Sequence, residues 1–239
     1  MFETLLVQPI YNGFMLLIGI MPQGDVGLAI VALTVLLRAI FYPAFTSQIR
    51  TQIGMQVIQP QLDEINKKYK DQPEERTRRT MALFKENKVR PFSGFLVLLI
   101  QLPVFLALYI AFFREGLPSI NHALLYPFVM APSTVSANFF GILDLLSSHN
   151  IFLTVLVALT QYAAIRLTLA RTTPAPGASP ERAAAQAMQR NLMLYMMPAL
   201  MGIISYSFPA AVGLYFITSN LISLLQEWVV KHQIRPMAA

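Results

Sequence analysis

Arg38 is the residue of this chain whose setting most demands a chemical explanation. It is the one charge in GLAIVALTVLLRAIFYPA, residues 27–44, a run apolar enough to cross a bilayer as a helix. It lies nearer to residue 44 than to residue 27, roughly 9 Å of helix from that end. An arginine within a span costs about 2.5–3.5 kcal/mol on insertion scales, so something must offset it. A long arginine stem can snorkel toward the headgroups. An acid can pair with it, and Glu227 is the candidate, since no apolar run holds an acid near its middle. Alternatively, several helices can enclose a wet, polar cavity, which requires polar residues at comparable depth on other runs. Thr34 lies one turn from Arg38 on the same face, and Gln101 sits in the middle of a second run. Tyr215, Ser219 and Asn220 sit in another, with Tyr215 and Ser219 on one face. Each alone commonly makes a hydrogen bond between packed helices. Together they can line a site that hydrates a cation and attracts acidic or polar peptide. The sequence leaves all three explanations open.

Other chemistry has little support. There is no cysteine, which excludes disulfides, thiolate metal sites, a cysteine nucleophile and a lipidated cysteine. His122, His149 and His232 are far apart and form no metal-binding spacing. An intramembrane protease needs a serine–histidine pair, paired aspartates or zinc, whereas these histidines lie outside the apolar runs and Asp25 and Asp144 stand at their outer boundaries. No enzyme activity, cofactor or metal is therefore expected. The net charge of +6 could suggest nucleic acid, but in a membrane protein it reads more simply as the positive-inside bias, and no direct nucleic-acid partner is expected.

The elements that position these residues follow from hydropathy. The chain is 55% hydrophobic and 13% charged, against about 25% charged for a soluble domain. Its mean hydropathy is +0.53. Residues 4–20, with Leu6, Ile10, Phe14 and Leu17 at helical spacing, read as an amphipathic interfacial helix, an extra short span being the alternative. No cleavable signal peptide is evident. Span one covers 27–44, span two 92–113, span three 150–169, span four 191–207 and span five 210–230. Residues 191–230 are too long for one crossing, and Phe208-Pro209 is the natural turn. Residues 45–91 differ in kind, holding ten of the 18 Lys and Arg. Ile49, Ile53, Val57, Leu62, Ile65 and Tyr69 form an apolar stripe there. Asp71 is placed to cap a second helix that Pro73, Glu74 and Glu75 open and that runs to about Lys88. This is a polar helical hairpin outside the membrane. Residues 114–149 and 171–189 read as loops.

With Arg38 set aside, sixteen basic residues fall in the hairpin, the 171–189 loop with its edges, and the tail, and only Arg114 falls on the other side. That places the hairpin and the C-terminus in the cytoplasm and the N-terminus outside, which five spans require. The expected fold is a single domain over 1–239: an all-α membrane protein of five transmembrane helices, an N-terminal interfacial helix and a cytoplasmic helical hairpin.

At these residues the sequence resembles the YidC/Oxa/Alb insertase family, in order and over nearly the whole chain. QPIYNGF (8–14) resembles its interfacial helix, and GLAIVALTVLLRAIFYPAF (27–45) its first conserved span, with Arg38 on the functional arginine. IQPQLDEINKKYK (58–70) and ALFKENKVRP (82–91) resemble the hairpin. LLIQLPVFLALY (98–109) and FPAAVGLYFITSNLISLLQEW (208–228) closely match its next and last spans. Departures are Val97 for a usual proline, Arg90 for an asparagine, and Phe216 for a second adjacent tyrosine. The large extracytoplasmic domain, the span before it and a long basic ribosome-docking tail are absent, so a minimal bacterial member is expected.

The resemblance implies a multi-pass protein of the bacterial plasma (inner) membrane, acting as a membrane protein insertase and chaperone without nucleotide hydrolysis. A groove centred on Arg38, with Thr34, Gln101, Tyr215, Ser219 and Asn220, would open to cytoplasm and lipid and close toward the outside. Partners would be nascent membrane proteins and the lipid bilayer, with a Sec translocon and the ribosome as further candidates. A small-solute or anion transporter using Arg38 as ligand is the competing reading. Such transporters usually carry internal repeats, and none is visible between the two halves.

Overall fold

The computed structural model describes residues 3–90, 119–169 and 180–234, together with Phe105, Tyr109 and Leu117. The chain is mostly helical. A short π-turn, Glu3–Val7, leads into α1 (Gln8–Ile20), followed by α2 (Val26–Ile40), α3 (Tyr42–Lys68) and α4 (Pro73–Glu86). Further along the chain come α5 (Ile151–Leu169), α6 (Pro180–Asn191), α7 (Met197–Ser207) and α8 (Ala210–Ile234). Span two and Gln101 lie outside the described residues, apart from Phe105 and Tyr109. These two rings meet Phe208 edge-on, with centroids 5.9 and 6.5 Å away.

The helices are inside-out by the standard of a soluble protein. On α8 the residues facing outward are Leu221, Leu225 and Trp228, 52–62% exposed, while Thr218, Ser219, Asn220, Gln226 and Glu227 are buried. Val155 and Leu159 on α5, and Ile203 on α7, are likewise exposed. In water such a surface would aggregate, whereas in lipid it is solvated. By itself α5 is long and apolar enough to cross a membrane. The pair α2 and α3 passes the same test together, bent by 68°. The bend has a local cause, since Pro43 lacks an amide donor and its ring would strike the Ala39 carbonyl of a continuing helix. So α2 stops at Ile40, short of the expected residue 44, and Pro43 falls in the first turn of α3.

Residues 119–149 form a structured cap rather than a bare loop. They contain a 3-10 turn at His122–Leu124 and an antiparallel pair, Asn138–Phe139 with Leu143–Asp144, so the fold is not purely α. The cap is tied to three helices. Asn12 on α1 donates from Nδ2 to the Leu124 carbonyl at 2.8 Å and accepts from the Tyr126 amide at 2.7 Å. Asp25 caps α2, accepting from the Leu28 amide at 3.0 Å and the Phe140 amide at 2.9 Å. The Ala210 and Ala211 amides at the start of α8 donate to Ser147 and Leu145. Beneath it lies the main core, where Tyr11, Phe14, Met15 and Ile18 of α1 meet Val26, Ile30 and Leu33 of α2 and Ala211, Leu214 and Tyr215 of α8. The buried stripe of α1 therefore runs through Tyr11, Phe14, Met15 and Ile18, continuing that of Val7 in the π-turn, whereas Ile10 and Leu17 are only partly buried.

Replacing Asn12 by Leu should leave two cap groups without partners, at about 1–3 kcal/mol each. Faster amide exchange at Tyr126, with α5 and α8 unchanged, is the expected signature.

α3 and α4 pack through Ile58, Leu62, Leu83 and Val89. Ile58 occupies the stripe position expected of Val57, which is 71% exposed, because Met55, Ile58, Leu62 and Ile65 follow the 3.6-residue period. The N-cap of α4 is Gln72, with no side-chain cap bond, rather than Asp71. Its Glu75 bonds Arg78 and Arg79, which together hold that carboxylate below its ordinary range. α4 ends at Glu86 in a Schellman motif: Lys88 adopts φ 54°, the Lys88 and Val89 amides reach back to Lys85 and Phe84, and Val89 is buried. Residues 180–189, expected as loop, are helical, since Pro180 suits a first turn and ERAAAQAMQR is rich in helix formers.

Candidate functional site

The bend between α2 and α3 sets the position of Arg38. The arginine occupies the last turn of α2, and Phe45, just beyond the bend, is brought back so that its ring lies 4.0 Å from the guanidinium carbon. From the other side α8 presents hydroxyls. Arg38 Nη2 donates to Ser219 Oγ at 2.8 Å, Ser223 Oγ at 2.7 Å and the Ser219 carbonyl at 3.2 Å. Ser219 and Ser223 are four residues apart and so share a face. Its hydrogen-bond acceptors on α8 are neutral oxygens, and an aromatic face lies against it as well.

Beside this cluster lies a cavity of about 570 Å³. Its polar lining is Arg38, Gln48 and Gln52 from the α2–α3 arm, Gln161 and Thr168 from α5, and Asn220, Ser223, Gln226 and Glu227 from α8. Apolar residues stand among them, Phe45 and Ile49 from α3 and Ala164, Ile165 and Leu169 from α5, joined by Leu192, Met193 and Met196 of the π-turn Leu192–Met196 and Met197 at the start of α7. Methionine is flexible and polarizable, and suits surfaces that must accept many shapes. A cavity with both polar and apolar lining can receive a ligand that has both.

The residues expected at the site divide. Arg38 and Ser219 are bonded, and Asn220 lines the cavity while donating from Nδ2 to Thr160 Oγ1 on α5 at 3.2 Å. Thr34 is buried, and its hydroxyl donates to the Ile30 carbonyl of its own helix at 2.7 Å. Tyr215 is buried in the core shared with α1 and α2, next to Phe216. Neither is among the residues lining this cavity. Gln101 lies outside the described residues.

Sequence reasoning missed Ser223, Gln226 and Phe45, and treated Glu227 only as an ion-pair partner. The signal was present: Tyr215, Ser219, Ser223 and Glu227 recur every four residues on an otherwise apolar helix. Gln226 joins α8 to the arm, donating to Tyr42 O and Thr46 Oγ1 at 3.3 and 3.2 Å. Phe45 had no comparable signal, since only the bend returns it to Arg38.

Comparison with known proteins agrees with this architecture. The profile described as 60Kd inner membrane protein matches residues 19–237. A relative from Oceanobacillus iheyensis, named membrane protein insertase YidC, is 31% identical over 241 aligned residues, covering 99% of this chain and 85% of that protein. One of the same name from Clostridium perfringens is 34% identical, covering 85% of this chain and 77% of its own length. In Francisella tularensis subsp. novicida the similarly named relative is 33% identical, and 87% of this chain corresponds to 32% of that longer protein. The lone arginine on a bent span, its polar partners on the last helix and the match from residue 19 to 237 converge: the chain belongs to the 60Kd inner membrane protein family, the YidC/Oxa/Alb insertases.

Proposed function

We propose that this protein is a membrane protein insertase and chaperone. In this reading hydrophilic segments of a nascent membrane protein enter a cytoplasm-open polar groove centred on Arg38, and apolar segments pass along α5 and α8 into lipid. Five spans carry the groove, with the N-terminus outside and the α3–α4 hairpin and C-terminus in the cytoplasm, as the distribution of basic residues requires. The cap of residues 119–149 lies over the outer end of the groove.

The observation that carries the reading is the guanidinium of Arg38, held by two serine hydroxyls and an aromatic ring at a cavity lined by polar and apolar residues. The relatives named membrane protein insertase support it. No nucleotide is needed, because burying the substrate's apolar surface in lipid releases about 25 cal/mol per Å².

The test is growth of bacteria depleted of their own YidC. The chain, expressed in the membrane, is expected to restore growth and the insertion of a small coat-type protein. Good expression without rescue would refute the assignment. Flux of small anions through reconstituted vesicles, without insertion, would favour a transporter instead.

A further inference from the structure

The antiparallel pair in the cap ends in an apolar tip. Its turn is Phe139-Phe140-Gly141-Ile142, closed by the Ile142 amide donating to the Phe139 carbonyl at 3.0 Å. Phe140 and Gly141, the two central residues, have φ 50° and 71°, the pattern of a type I′ turn. Asn, Asp or Gly usually takes the first of these positions, because a bulky residue at positive φ is strained. A phenylalanine stands there instead, and Phe140 is 64% and Ile142 89% exposed. The backbone beneath them is fixed. Asp25, the N-cap of α2, accepts from the Phe140 amide at 2.9 Å, and the Phe139 ring lies against Gly27, where a Cβ would collide with it. Apart from chain neighbours, nothing lies within 4 Å of a Cβ placed on Gly141, so the tip projects into open space.

Water is a poor solvent for such a surface. Residues 119–149 contain no lysine or arginine and one acid, Asp144. Phe128 and Met130 of the same cap are exposed as well. From the tip, exposed apolar residues continue along the sequence through Leu146, Ile151 and Phe152 to Val155 and Leu159 of α5, the helix long and apolar enough to cross a membrane. We propose that the tip, Phe140 with Ile142, is a lipid-docking surface that dips into the interfacial layer of the bilayer on the cap's side, its occupant being phospholipid. This rests on the reading of α5 as a membrane span, and with the N-terminus outside the leaflet is the outer one. Burying two large apolar side chains among acyl chains offsets the strain at Phe140. Asp25 carries the level of the tip to the bundle. The carboxylate that holds the Phe140 amide also caps the helix that bears Arg38, so the lipid surface at the cap's end sets the depth of α2.

The chain has no cysteine, so a single nitroxide label can be placed on it without removing any residue first. Ile142→Cys, Leu159→Cys and Asp71→Cys are labelled in the full chain and reconstituted in vesicles of phosphatidylethanolamine and phosphatidylglycerol. Collision of each label with oxygen, which concentrates in lipid, is compared with its collision with a water-soluble nickel chelate. Leu159, exposed on α5, sets the lipid value, and Asp71, exposed between α3 and α4, sets the water value. The Ile142 label should give an oxygen-to-nickel ratio several-fold above that of Asp71. Phe140→Asn supplies a residue that favours the turn but carries no apolar ring. In that background the ratio at Ile142 should fall most of the way to the water value. The proposal is overturned if the Ile142 label reads as water, or if Phe140→Asn leaves its ratio unchanged, since the label would then be seating itself. It is also overturned by dipolar broadening that vanishes on dilution with unlabelled chain, which would mean that a second copy covers the tip. A water value at Leu159 would instead overturn the reading of α5 as a span.

Discussion

Arg38→Ala is expected to cut insertion of substrates with acidic extracytoplasmic segments by about tenfold or more, the value of one charge-assisted contact in a partly desolvated site. Neutral substrates should fall by about twofold at most, because what they lose is hydration rather than an ion pair. Arg38→Lys should lie between. It keeps the charge, but an ammonium is a compact point charge that cannot reproduce a planar guanidinium lying over Phe45 while reaching both serines. The measurement is protease protection of matched acidic and neutral reporters. Equal loss for both classes would mean that Arg38 acts by joining α2 to α8, and the substrate role would be lost. A control separates the two: Ser219→Ala combined with Ser223→Ala removes hydroxyl partners of Arg38 but keeps the charge, so selectivity for acidic reporters should persist.

The second large effect is expected at the N-terminal end of α2. Gly24 adopts φ +68°, and a Cβ there would press into the backbone carbonyl of Thr134. On either side, the Gly24 carbonyl accepts from the Ser136 amide at 2.9 Å, and the Ser136 carbonyl accepts from the Val26 amide at 3.0 Å. Neither backbone can retreat without breaking this pair. Gly24→Ala therefore combines a left-handed conformation, at about 1–2 kcal/mol, with a backbone collision, together on the order of 3 kcal/mol. For a chain of this size that is a fall in melting temperature of roughly 6–12 °C, measurable in detergent. A melt within two degrees of wild type, about the width of such a measurement, would show that the 119–149 cap moves aside freely. The same strain would loosen the cap over α2 and α8, so reduced insertion should accompany it.

The character of this protein was written in its composition and its periodicity. Apolar runs, the concentration of basic residues in 45–91, the lone Arg38 and the break at Phe208-Pro209 are local properties, and a local property can be read from neighbours in sequence. They determined that the chain is helical and resides in a membrane, and they pointed to Arg38 as the residue needing partners. What they could not determine was which partners. Ser219 and Ser223 lie 181 and 185 residues from Arg38, and they meet it only because α2 packs beside α8 and α8 turns that face inward. Hydropathy is blind to the rotation of a helix about its axis. Thr34 was expected at the site and Ser223 was not, yet the Thr34 hydroxyl bonds back to its own helix and the Ser223 hydroxyl meets the guanidinium. The same blindness put Val57 on the stripe that Ile58 occupies, and treated residues 119–149 as a loop when Asn12 and Asp25 hold them as a cap. In an apolar medium every helix can bury its backbone alone, so helix existence is a local matter. Polar side chains must find one another across the bundle, and that is settled only when the helices pack.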